Sequence, residues 1–131
     1  MSCGSSKPKN LSTSTSQSKK ASNYTPFFDV TKYAEDESYG LKGDNPVRVG
    51  EKSVDNQIRY ISSLAGPNGE ELKFIRTGSC CAYDSENGFM GKALVDVYKI
   101  TYEGLKKPIL LYISFYDTDK LYIPKGFIKR I

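Results

Sequence analysis

A chain of 131 residues has room for one ordinary domain and not for two. At 38% hydrophobic and 26% charged it has the make-up of a globular protein, and no apolar run approaches the ~20 residues of a membrane-spanning helix. Its formal charge of +4 comes from the four leader lysines Lys7, Lys9, Lys19 and Lys20, the other 15 basic residues being balanced by 15 acids, so the folded part offers no basic face and nucleic acid is not an expected partner.

The chain contains no histidine, which removes the usual acid/base near neutral pH, the usual partner of a Ser or Cys nucleophile and the commonest zinc ligand. Carboxylates, lysines, tyrosines and thiols are what remain for chemistry.

Residues 1–22 are mostly Ser, Thr, Lys and Gln, too polar to offset the entropy of ordering, and residues 1–23 are expected to be a flexible tether. Cys3 stands directly before Gly4-Ser5-Ser6-Lys7, a small, hydroxylic run of the kind that begins a mature bacterial lipoprotein just after its modified cysteine, once the signal peptide is gone. Cys3 is therefore the expected lipidation site, with the true start upstream and a leash spanning roughly 25 Å. The absence of acids directly after Cys3 favours an outer-membrane anchor facing the periplasm. The rival is a cytosolic protein with a bystander cysteine.

The folded domain is assigned to residues 24–131. Tyr24, Phe27, Phe28, Val30 and Tyr33 make an aromatic arm expected to pack on it. A turn-rich link from Gly40 to Pro46 leads to Val47-Arg48-Val49, a predicted short edge strand. Ser53 caps a predicted helix whose apolar stripe is Val54, Ile58, Ile61, Leu64 and Ala65, and Gly66-Pro67-Asn68-Gly69 ends it.

Strands come next. Residues 72–77 alternate, 93–102 are β-branched and aromatic, and 109–116 are the most apolar stretch. The short link from Glu103 to Pro108 makes the last two an antiparallel hairpin. Ile109, Leu111, Ile113 and Phe115 are expected under the helix, and Leu121-Tyr122-Ile123 is a predicted last strand. The fold class is α+β: one amphipathic helix on an antiparallel sheet of three to five strands.

Between the first two strands lies Gly78-Ser79-Cys80-Cys81, with two adjacent thiols. Neighbours on a strand point to opposite faces, so Cys80 and Cys81 cannot both be plain core residues. A disulfide between neighbours closes a strained ring, a redox thiol needs an activating cation for which Arg76 is poorly placed, and a metal needs ligands that no second cysteine pair supplies. The pair is expected to be structural first, redox-active or disulfide-bonded second and metal-binding or catalytic last, and no metal or cofactor is expected. Asp117 and Asp119 flank a turn at a spacing that could hold a hard cation but more often simply forms the turn. Residues 87–91 form a glycine-bearing loop without the spacing of a phosphate cradle. Tyr83, Phe89 and Met90, in the apolar loop region, are the expected contacts with a protein partner.

Asn45-Pro46-Val47, residues 64–69, Gly78-Ser79-Cys80-Cys81, Asp96-Val97-Tyr98, Lys107-Pro108 and Ile123-Pro124 together resemble a family of small bacterial envelope proteins, often lipoproteins, that automated naming labels 2-dehydro-3-deoxyphosphooctonate aldolase. The resemblance covers about residues 40 to 127 and implies an envelope lipoprotein. Its label implies a sugar-phosphate lyase, but such enzymes are eight-fold βα barrels of about 250 residues. No barrel motif maps onto this chain, no catalytic residue is carried over, and Lys73, Lys92 and Lys99 lack a context for a Schiff-base amine. The expected function is a non-catalytic envelope lipoprotein that binds an envelope protein or supports an assembly, with the aldolase and a thiol-redox protein as alternatives.

Overall fold

The computed structural model describes residues 27–130; Cys3, Tyr24 and the 1–23 tether lie outside the described residues. In chain order the elements are β1 (Val47–Arg48), α1 (Val54–Ser62), β2 (Leu64–Ala65), β3 (Lys73–Phe89), β4 (Lys92–Thr101), β5 (Ile109–Ser114) and β6 (Ile128–Lys129). One helix thus packs with a four-stranded sheet in the order β1-β5-β4-β3, and β2 pairs with β6 in a second, two-stranded sheet. The β3–β4–β5 meander is antiparallel as its short links require, whereas β1 joins β5 in parallel, so the larger sheet is mixed.

Ser53 caps α1 by accepting the Asn56 N–H at 3.0 Å. The buried face of the helix matches the predicted stripe only at Ile61. Val54 and Ile58 are exposed, and Asn56, Gln57, Tyr60 and Ile61 face inward. Two polar side chains can turn inward because each finds partners: Asn56 Nδ2 donates to the Val49 carbonyl, and Gln57 is bonded on both ends of its amide. The helix also stops earlier than predicted, at Ser62, and Leu64 and Ala65 belong to β2.

Beneath α1 the register sets Tyr98 opposite Leu111, Ile100 opposite Ile109 and Asp96 opposite Ile113, which puts alternate residues of both strands on one face. Ile61, Leu64, Ile100, Leu111, Ile113 and Ile123 are essentially fully buried there, each contributing about 1.5–3 kcal/mol by leaving water. The aromatic arm packs at the end of the helix: Val30 enters the core, the Phe28 N–H donates to Ser63 Oγ at 2.7 Å, and Arg59 lies over the Phe28 ring. Tyr33 stays more than half exposed.

Two further expectations are corrected. Residues 121–123 do not form a strand; Ile123 makes only an isolated bridge to Tyr33, because Pro124 follows at once and removes a donor. The strand predicted at 72–77 runs on for 17 residues, through the cysteines and up to the hairpin tip.

Candidate functional site

The length of β3 comes from irregularity rather than regular alternation. Its register against β4 slips between Arg76 and Gly78, again between Cys80 and Ala82, and finally between Asp84 and Phe89. Arg76 and Ser79 lie opposite Tyr98 and Asp96 on the helix-facing side, while Cys80 and Tyr83 lie opposite Val95 and Ala93 on the other. Cys81 is the extra residue of the second bulge and takes φ 42°, in the left-handed region. The bulge cancels the alternation that would point neighbouring side chains apart. Both sulfurs come to one side, and Cys80 and Cys81 are joined by a disulfide. The strand rule fails here because the strand is not regular at this point.

Something lies over the sulfurs. The segment after Gly40 leaves the outer edge of β5, where the Gly40 carbonyl accepts the Tyr112 N–H at 2.8 Å, and brings Gly43 against the disulfide. A Cβ on Gly43 would overlap Cys81 Sγ and lie 3.3 Å from Cys80 Sγ, so only glycine fits this contact. Ala93, Val95 and Val97 are buried on this same face of the sheet. The roof over it is therefore partly residues 41–45.

On the helix side, a buried polar cluster ties the helix to the sheet. Gln57, with no exposed surface, donates from Nε2 to Asp96 Oδ2 at 2.8 Å and to the Ile113 carbonyl at 3.2 Å, and its Oε1 accepts the Tyr98 hydroxyl at 2.7 Å. Asp96 also accepts from Arg76 Nη2 at 2.8 Å and Ser79 Oγ at 3.0 Å. Burial, then the Asp96 charge, pushes the Tyr98 phenol above its ordinary range. Arg76 is thus committed to Asp96 on the face opposite Cys80.

No protein-family model, curated protein or solved structure matches this chain. Its chemistry has to be read from its own geometry.

The three expected partner contacts are divided. Tyr83 is half-buried: its hydroxyl is 3.2 Å from Ser114 Oγ, Arg48 lies over its ring, and burial raises its phenol pKa. Phe89 and Met90, by contrast, stand at the hairpin tip with 77% and 86% of their surface exposed. The tip is anchored from below. Asp117 accepts Ser85 Oγ at 2.8 Å and Asn87 Nδ2 at 2.6 Å, and these bonds, the Asn87 one first, hold its carboxyl below the ordinary carboxylate range. A Cβ on Gly88 would overlap the Lys92 backbone, which explains the glycine in the bulged run. Sequence reasoning makes Asp117 a turn residue; the signal it misses is the Ser-x-Asn of residues 85–87, two short donors able to meet one carboxylate.

The three lysines considered for a Schiff base are exposed, and Lys92 pairs with Asp84. Asp119 caps its own turn, accepting the Lys120 N–H at 2.7 Å. Among the described residues no three His, Cys, Asp or Glu side chains come together as a metal site. Open grooves of about 500 Å³ beside Glu70, Lys73 and Glu103, and of about 430 Å³ beside Tyr33, Asp36, Asn45 and Tyr122, include neither cysteine.

Proposed function

We propose that this protein is a non-catalytic lipoprotein of the bacterial cell envelope, anchored through lipid on Cys3, that binds an envelope protein through the tip of the β3–β4 hairpin. The observation that carries it is the pairing of exposure with order. Phe89 and Met90 are adjacent, apolar and almost wholly exposed, yet the tip bearing them is fastened to Asp117. A preorganised apolar tip loses little entropy when it docks, which is the condition for a small contact to bind specifically. Two further observations support the compartment. Disulfides persist in oxidising compartments such as the periplasm, and the resemblance of the cysteine segment is to envelope proteins.

A photo-crosslinking residue at position 90, in cells that carry the chain on their membranes, tests the reading. One partner is expected, crosslinked at that position and lost when Phe89 and Met90 are both changed to Ser, with thermal stability preserved. Removing two apolar anchors lowers affinity about 100-fold, the equivalent of roughly 3 kcal/mol. A partner that survives the double substitution, or an unmodified Cys3 by intact mass, refutes the corresponding half of the proposal.

A further inference from the structure

We infer that the Cys80–Cys81 disulfide is a thiol-exchange site, reduced by a dithiol, and that its reduction releases residues 41–45 from the sheet. The pair lies on β3, an edge strand of its sheet, with Cys81 exposed and Cys80 half-buried, so an external thiolate can reach it. Arg76, the nearest basic side chain in sequence, is occupied by Asp96 on the other face and lends no charge to a thiolate here. The pair is placed to be acted upon rather than to act.

The exchange conserves atoms and electrons. One thiolate of the dithiol attacks Cys81 sulfur; the Cys80–Cys81 bond breaks with its electron pair passing to Cys80, which takes a proton. The second thiol of the reductant, giving up its proton, then attacks its own sulfur in the mixed disulfide. Cys81 leaves with the bonding pair and is protonated. Two electrons and two protons have moved to the cysteines, and the reductant has become a disulfide.

Release of the roof is a matter of size. Bonded sulfurs lie about 2 Å apart, whereas unbonded heavy atoms need about 3.5 to 4 Å. Gly43 already fills the space above both sulfurs so closely that a single added carbon would overlap one of them. Separated sulfurs therefore collide with the Gly43 backbone, or the bulge at Cys81 relaxes from its left-handed φ; either way the contact is lost. Otherwise Leu41 packs against the edge of the core, and the backbone bonds of residues 41–45 stay local: Leu41 N–H donates to the Ser38 carbonyl, Asn45 N–H to the Lys42 carbonyl and Gly40 N–H to the Asn45 carbonyl, none of them reaching the sheet. Asn45 Nδ2 also donates to Asp36 and Ser38, so the displacement reaches the groove beside Tyr33 and Tyr122. None of this depends on the hairpin tip, and either proposal can fail alone.

The test uses the full chain carrying Cys3→Ser, so that only the pair is counted, purified without reductant. Alkylation and intact mass should find no free thiol before dithiothreitol and two after it. Amide exchange at Leu41 and Asn45 should quicken about tenfold or more on reduction while the β4 and β5 ladder amides stay protected. The joint substitution Cys80→Ser with Cys81→Ser should reproduce the faster exchange without reductant, and Gly43→Ala should produce it with the disulfide intact. Free thiols at the outset, a disulfide that resists excess dithiothreitol, unchanged exchange at Leu41 and Asn45 in the reduced chain or the serine variant, or exchange rising equally throughout the domain would each overturn the inference.

Discussion

Gln57→Leu is the substitution that best tests how the helix is held. Leucine is close to glutamine in volume and more apolar, so a helix held by apolar contact alone would tolerate or welcome it. The structure requires the opposite, because Gln57 satisfies three groups at once: Asp96, the Ile113 carbonyl and the Tyr98 hydroxyl. Asp96 keeps Arg76 and Ser79, and a carbonyl tolerates one fewer partner, so the main loss falls on the Tyr98 hydroxyl. Stranding one such buried group costs about 1–3 kcal/mol, and weakening a bond to a charged carboxylate adds a similar amount; the apolar gain of leucine offsets part of this. A net loss of about 2–3 kcal/mol is expected, read from urea unfolding as a lower midpoint at unchanged slope. Tyr98→Phe in the same chain supplies the control. Removing the second partner should restore about 1 kcal/mol, making the double variant more stable than Gln57→Leu alone. Gln57→Leu at wild-type stability, or strict additivity of the two changes, would refute the cluster as the tie between helix and sheet.

Two smaller outcomes concern other buried or anchored groups. Tyr60 is fully buried and its hydroxyl donates to the Tyr122 carbonyl, so Tyr60→Phe should cost about 1–2 kcal/mol in thermal or urea unfolding, with α1 still formed by circular dichroism. Asp117 has its pKa depressed in the folded chain, so its contribution is fully present above the ordinary carboxylate value and is lost as pH falls through the lower, folded value. Amides and side-chain signals of residues 85–91 should therefore loosen below the ordinary carboxylate range, and in an Asp117→Ala chain they should be loose at neutral pH.

The helix start, the β4–β5 hairpin and the faces of those strands are legible in the sequence because each has a local cause. Ser53 offers a cap, residues 93–102 and 109–116 are rich in β-branched and aromatic side chains, and six residues between them leave space only for a turn. The phase of the helix is not legible. Hydropathy places Val54 and Ile58 inward, yet Asn56 and Gln57 are buried, and what permits this is partners from 7 and 39 residues away. The disulfide is hidden for a related reason. Alternation forbids neighbours from facing the same way, and only a bulge, set by pairing with β4, lifts the prohibition. Phe89 and Met90 can be picked out as apolar residues in a loop, but not the Asp117 anchor beneath them.

As an edge strand of 17 residues, β3 would be long enough to recruit a matching strand from another chain and begin aggregation. The first slip in register leaves its opening regular run at Lys73–Arg76, and the next two break the remainder into pieces no longer than that. A foreign strand would have to change register at each one. The irregularity that joins the two cysteines thus also keeps an open edge from acting as a template.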